Sequence, residues 1–253
     1  MLPKFSLHLL GTNGWYTTAT GNTSCCLLTA PACYIILDAG NGIHAIDRYI
    51  KDEQKPIFLF LSHFHIDHVS GLHVLDKFNF PQGMTIVTFD GGKEFLNAIM
   101  RQPFTISVDD LKMEVDLREV KEGVNAGFPF GLECAELVHS AKCFGYRFDL
   151  GGKIVTYCTD TGLCPAAIHL GREADLLITE CAYRSGQESK SWPHLNPEQA
   201  AQLARDAGAK KLLLIHFDAE RYQTFAARDQ AQARAKEIFA NTVAGRDGMT
   251  IEI

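Results

Sequence analysis

No stretch of this 253-residue chain approaches the roughly 18 to 20 consecutive apolar residues of a membrane helix, so no membrane partner is expected. Positive charge is not in excess either. With 24 Lys and Arg against 30 Asp and Glu, the net charge is −6, and the footprint of a general nucleic-acid binder is missing. The opening MLPKFSLHLLGTNG has one lysine and a short, broken apolar patch, which does not read as a secretory signal. Among the cysteines at 25, 26, 33, 134, 143, 158, 164 and 181, no pair has C-x-x-C spacing. Most sit in apolar segments, where a thiol behaves as a small hydrophobe. Reduced structural thiols and a cytoplasmic compartment are therefore expected. Low-complexity tracts, Pro/Gly/Ser-rich linkers and fixed-period repeats are also lacking. With 46% hydrophobic residues a sizeable core can form, and a single domain over 1–253 is expected.

What is present is a recurring pattern, a short apolar run that stops at a His, Asp or Glu. Ile57–Leu61 leads through Ser62 into His63, and Ala135–Val138 into His139. Ile154–Tyr157 leads through Cys158 and Thr159 to Asp160, Leu176–Thr179 into Glu180, and Leu212–Ile215 into His216. Such runs read as buried strands, and the carboxyl ends of strands in α/β proteins converge on the ligand crevice. Leu7–Leu10 and Ser24–Asp38 read as hairpin strands with turns at Gly11–Gly14 and Ala39–Gly42. Asn196-Pro197-Glu198 starts a helix that Gly208 ends, and 226–240 form a second surface helix. The pattern predicts an α/β globule with two sheet-bearing halves.

The sharpest local signal is His63-Phe64-His65-Ile66-Asp67-His68. On an extended segment, residues two apart point the same way, so His63 and His65 can grip one cation. Asp67 and His68 follow as the chain turns and can face a second cation. Imidazole and carboxylate suit borderline divalent metals. His139 can complete the first site, His216 the second, and Asp160 can bridge both ions through its two oxygens.

Those residues resemble the metallo-β-lactamase superfamily. Its motif H-x-H-x-D-H stands here as His63, His65, Asp67 and His68, and its later ligands as His139 in LVHS, Asp160 in CTDTG and His216 in LIHF. The resemblance implies a four-layer αββα sandwich of two mixed sheets with a dinuclear site at one edge. It implies two divalent ions, zinc first, although the same donors would accept manganese or iron. Antibiotic-hydrolysing members commonly carry Cys where Asp160 stands, and flavodiiron members carry Glu in place of His65. The pattern here is therefore similar to the phosphodiesterase branch, which includes ribonuclease Z, and is shared with thioesterases and lactonases.

Two further residues are similar to the phosphodiesterase branch, in which a histidine just ahead of this helix helps substrate and leaving group, and the resemblance thereby implies a phosphodiester. Glu180 ends a strand, and His194 in Trp192-Pro193-His194-Leu195-Asn196 precedes a helix; a His–Glu pair fixes the imidazole tautomer and raises its basicity. Asp67, Glu180 and His194 are the expected catalytic residues, Asp67 counting also as a ligand. The expected reaction is attack by a metal-bound hydroxide, with water acidified to a pKa of about 7, while His194 protonates the leaving alkoxide. Two divalent ions less Asp67, Asp160 and the hydroxide leave about +1, which suits a small anionic substrate such as a cyclic nucleotide or cyclic ribose phosphate. Only twenty residues separate His139 from Asp160, too few for the arm with which ribonuclease Z holds RNA, so no structured nucleic acid is expected. A thioesterase, a lactonase or a non-catalytic ligand-binding member are the other readings, and a homodimer is compatible with the sequence. Thr20–Ser24 reads as a polar hairpin turn, Asp38 as a support for the motif loop, Lys142 and Arg184 as phosphate contacts or solvated cations. His8, His44, His73 and His169 match no motif position.

Overall fold

The computed structural model of the chain describes residues 5–253; residues 1–4, which begin the segment read above against a leader, lie outside the described residues. In chain order the first half holds β1 (Ser6–Gly11), β2 (Asn13–Gly14), β3 (Cys25–Thr29), β4 (Tyr34–Leu37), β5 (Ile57–Phe60), α1 (Ile66–Val69), β6 (Met84–Phe89), α2 (Gly92–Ile99) and β7 (Val115–Val120). The second holds β8 (Gly123–Asn125), β9 (Gly131–Glu136), β10 (Phe144–Asp149), β11 (Ile154–Cys158), α3 (Pro165–Leu170), β12 (Leu176–Glu180), α4 (Pro197–Ala207), β13 (Leu212–Ile215), β14 (Phe217–Asp218), α5 (Phe225–Lys236), β15 (Thr242–Ala244) and β16 (Thr250–Glu252). Two seven-stranded sheets result, ordered β16-β1-β3-β4-β5-β6-β7 and β15-β13-β12-β11-β10-β9-β8, and the short β2 and β14 pair separately. Each large sheet is mixed. Strands β4 to β7 run parallel in the first, as do β11, β12, β13 and β15 in the second, while the remaining pairs are antiparallel.

Alternation along the strands builds the layers. In β4, Ile35 and Leu37 point one way and Tyr34 and Ile36 the other; in β12, Leu176 and Ile178 oppose Leu177. The first set of each pair meets in one core, where Leu7, Ile35, Leu37, Phe58 and Phe60 contact Tyr146, Phe148, Tyr157, Ile178 and Ile215 of the facing sheet. The outer face of the first sheet is covered by Ile43, Ile46, Leu72, Leu75 and Leu96, from two 3-10 segments and α2. Ala167, Leu170, Ala200, Leu203, Ala204 and Ala231 of α3, α4 and α5 cover the second. The architecture is thus the expected αββα sandwich. All eight cysteines are free and buried, and burial raises the thiols of Cys33 and Cys134 to about 12. Among the described residues no helix is long and apolar enough to cross a membrane.

Local expectations are met with adjustments. Asn196 caps α4 through a capping box with Gln199, and Gly208 closes it at φ 65°. The helix expected at 226–240 runs Phe225–Lys236, capped by Thr224. The strand expected at 135–138 ends at Glu136, because pairing with β10 stops at Glu136↔Phe144, so His139 stands on the following loop. Gly11–Gly14 is no simple hairpin turn: Asn13 and Gly14 pair in parallel with Phe217 and Asp218, a contact between segments far apart in sequence. Ala39–Gly42 leads directly into the 3-10 segment Asn41–Arg48.

Candidate metal centre

Strand ends deliver the side chains to one edge of the sandwich. His63 follows β5, and His65 stands in extended conformation as the N-cap of the single turn α1, which carries Asp67 and His68. Asp160 follows β11 and His216 follows β13, both in the left-handed region at φ 48° and 50°; Asp38, after β4, is there too at φ 59°. Non-glycine residues with positive φ are uncommon, Asp and His being among the more tolerant, and three of them line this edge.

The seven expected ligands come together. His63, His65, His139 and Asp160 offer donor atoms all within 4.8 Å of one another, as do Asp67, His68 and His216. Asp160 divides its oxygens between the two groups. Oδ2 lies 3.7 Å from Nε2 of both His63 and His139, whereas Oδ1 lies 3.3 Å from His68 Nε2 and 3.2 Å from His216 Nε2. His68 and His216 approach through their Nε2 atoms at 3.1 Å, and His139 Nε2 stands 3.1 Å from His65 Nδ1. Donors that each sit about 2.0 to 2.1 Å from a tetrahedral cation are roughly 3.3 Å apart, so these spacings fit. His63 Nε2, moreover, is a buried nitrogen with no hydrogen-bond partner, which a cation would satisfy.

Electrostatics agree with that fit. Burial opposes charge on Asp160, yet His216 and His68 hold it well below the usual carboxylate range; Asp67 is lowered likewise, chiefly by His68 and His216 against its burial. Against their own burial, Asp160 and Asp67 raise His68 and His216. On the other side, burial lowers His63 and His65, and takes His139 down to about 4, leaving neutral imidazoles with lone pairs to donate. Positive charge is what this cluster of carboxylates calls for, and a divalent cation would supply it.

Asp38 holds the motif loop as expected. Its Oδ1 accepts from Ser62 N at 2.7 Å, and its Oδ2 accepts from Ser62 Oγ at 2.8 Å, His68 Nδ1 at 2.7 Å and Tyr157 Oη at 2.6 Å. The proton this fixes on His68 Nδ1 leaves Nε2 facing the cluster. Glu180 is fully buried; its Oε1 accepts from Thr161 N and from His194 Nδ1, each at 2.7 Å. Burial disfavours charge on His194, but the Glu180 carboxylate outweighs it and raises the imidazole to about 9. Asp160, His194 and His216 also form a group within 4.8 Å. What sets His194 apart is its partner: Glu180 holds its Nδ1, and the ring lines the cleft beside the two ligand groups.

Other expectations resolve as structure. Thr20 and Ser24 are buried and bond to Asn13. Lys142 donates to Asp90 O and lies over Phe89, and Arg184 lies over Tyr222. His8, His44, His73 and His169 bond to Thr250, Asn41, Ser70 and Glu133, outside the cluster. Several residues carried no sequence signal. Trp15, Tyr183, Trp192 and Arg221 line the cleft of about 580 Å³ above the cluster. The Trp15 backbone N–H donates to Asp67 Oδ2 at 2.7 Å. Behind it, the fully buried Arg228 donates to Thr12 Oγ1, Gly245 O and Asn13 Oδ1.

Residues 34–217 match the family described as β-lactamase superfamily domain. The chain is 24% identical to a Bacillus subtilis protein named as a probable metallo-hydrolase, YhfI, covering 93% of this chain and 94% of that one. The YhfI crystal structure superposes with a TM-score of 0.83 at 22% identity, covering 99% and 100% of the two chains. A ribonuclease Z of Rippkaea orientalis is 28% identical, covering 98% of this chain and 97% of its own. That alignment runs over 306 positions against 253 residues here, so the ribonuclease has at least fifty residues without counterpart. The structure of a diphosphatase from the PhnP family superposes with a TM-score of 0.73 at 16% identity, covering 100% and 98%.

Proposed function

This chain belongs to the β-lactamase superfamily, and taking metal-dependent hydrolysis as its class of chemistry, we propose that the bond it cleaves is a small phosphodiester. The observation that carries this reading is the Glu180–His194 pair, with Glu180 Oε1 2.7 Å from His194 Nδ1 beside the Asp160 carboxylate. A phosphodiester expels an alkoxide, which needs a proton, and the hydrogen-bonded Glu180 carboxylate favours the protonated form of His194. The ribonuclease Z name among the relatives supports the same class, since RNA cleavage is phosphodiester cleavage.

His63, His65 and His139 would hold one divalent ion and Asp67, His68 and His216 a second, with Asp160 shared. Zinc is the proposed occupant, favoured by the imidazole-rich donor set. Bound divalent ions lower the pKa of water to about 7 and polarise a phosphoryl oxygen. The protein's part is to hold geometry and move a proton. Asp38 fixes the tautomer of His68, the Trp15 amide fixes Asp67, and Glu180 keeps the His194 proton supply oriented. His194 Nδ1 is engaged by Glu180, so Nε2 is the atom that delivers the proton to the departing oxygen.

A small anionic substrate is favoured over structured RNA by the −6 charge and by the shortness of the chain beside ribonuclease Z. Residues 1–253 are proposed to act as a single domain, and the eight free thiols favour a reducing, cytoplasmic setting. The test is elemental analysis of protein never exposed to chelator or nickel resin, followed by assay of bis(4-nitrophenyl) phosphate beside a thioester and a lactone panel. Two ions per chain and turnover of the phosphodiester are expected. Turnover confined to the thioester or lactone overturns the reading.

A further inference from the structure

We propose that the mouth of the cleft is a stacking subsite for a purine or pyrimidine base, so that the substrate is a nucleotide and not a base-free sugar phosphate; this rests on the phosphodiester reading above. The chain has two tryptophans, and both line this one cleft. They arrive from opposite halves of the molecule, Trp15 directly after β2 and Trp192 from the loop before α4. Burial is where large aromatic side chains gain stability, yet Trp15 is 62% exposed and Trp192 50% exposed.

Neither residue trails loosely. Trp15 takes φ 72°, a conformation unfavourable for a bulky side chain, with its backbone N–H fixed on Asp67 Oδ2. The Trp192 carbonyl accepts from Tyr183 Oη at 2.7 Å. Its indole stacks on His65 at 5.9 Å with an interplanar angle of 13°, while half its surface remains open at the mouth. The guanidinium lining the cleft, that of Arg221, is engaged by Asp218 and lies over Tyr183 at 5.1 Å. Phosphate is thereby left to the ligand cluster, and the mouth offers flat π surface to an uncharged group. The part of a phosphodiester with a π face of its own is a nucleobase, and stacking on aromatic side chains is its usual mode of capture.

Both tryptophans lie at this cleft, so intrinsic fluorescence reports on this subsite. Titration of the full-length protein with adenosine 5′-monophosphate and with ribose 5-phosphate compares ligands that share a sugar and a phosphate. Quenching and at least about tenfold tighter binding of the nucleotide are expected, within the roughly five- to hundredfold that one stacked base contributes. W15A and W192A should each reduce that preference at least about fivefold, and W192F should retain most of it. Equal binding of the two ligands by the wild-type protein, or a preference unchanged in both alanine variants, overturns the proposal. Nucleotide preference without hydrolysis of any phosphodiester would sink the hydrolytic reading and leave the subsite standing; hydrolysis without preference would do the reverse.

Discussion

Gly14 lies flat against the imidazole of His216: a Cβ built on it would stand 2.5 Å from His216 Cε1 and 2.8 Å from Nε2. A side chain there must displace a proposed ligand. G14A is expected to lower kcat/KM at least about tenfold and to weaken binding of the second ion, with a small change in Tm. Elemental analysis alongside kinetics checks it; full activity with two ions bound would contradict the assignment of His216.

Asp160 serves both ligand groups through separate oxygens. D160A should therefore impair both sites together, whereas H139A should weaken the first and spare much of the second. Titration calorimetry with zinc on chelator-treated protein distinguishes the two patterns. Equal loss at a single site in both variants would mean that Asp160 does not bridge.

Removing the proposed acid should matter most where the leaving group is poor. H194N is expected to lower kcat by about 10²- to 10⁴-fold on an alkyl phosphodiester and much less on bis(4-nitrophenyl) phosphate, whose leaving group needs no proton. The sign of the pH effect follows. The active form of His194 is protonated, so the rate falls as pH rises through its pKa, which the Glu180 carboxylate raises. E180Q removes the carboxylate that raises it and should move the alkaline limb to lower pH. An unmoved limb would assign that limb to another group.

Asp175 offers a stability test away from the centre. Its carboxylate accepts from Ile154 N at 2.8 Å and Lys210 Nζ at 2.9 Å, and despite the opposing effect of burial these bonds lower its pKa. A depressed carboxylate stabilises above its unfolded pKa of about 3.9, and the contribution fades as pH falls through the lower folded value. D175N should melt a few degrees below wild type at pH 7, on the order of 2 to 6 °C, and the gap should close as pH falls through the lowered folded-state pKa. A gap that persists in acid would point to lost packing.

Arg228 is fully buried, with its guanidinium over Phe217 at 4.7 Å and its protons on Thr12, Asn13 and Gly245. R228A should destabilise the fold by about 3 kcal/mol, since it strands buried acceptors. R228K should recover part of the stability, but less of the activity, because one ammonium cannot reproduce the fork that orients the segment before Trp15. Activity and stability lost in proportion would show no such orienting role.

Much of this was legible because strand and ligand share one stretch of sequence. Apolar runs before His63, Asp160, Glu180 and His216 announce both a buried strand and the residue at its mouth, and the Asn196 cap announces the helix that follows His194. The pairing of Asn13 and Gly14 with Phe217 and Asp218 was not legible, since no local period records a contact between such distant segments. The same holds for Arg228, which sits in an unremarkable Ala/Arg/Gln helix. His139 was found by type though not by place: with Val138 51% exposed, the apolar run there imitates a strand that has already ended.

His63, His65, Asp67 and His68 hang from one sheet, while His139, Asp160 and His216 hang from the other. Cations seated between them would rivet the two leaves of the sandwich along one margin, so occupancy and resistance to unfolding should rise together. At a free metal concentration a hundred times the dissociation constant, one such rivet adds about 2.7 kcal/mol. Starving the protein of metal should therefore loosen that hem first, which hydrogen exchange at Ser62, Thr161 and Phe217 would register before the opposite margin changes.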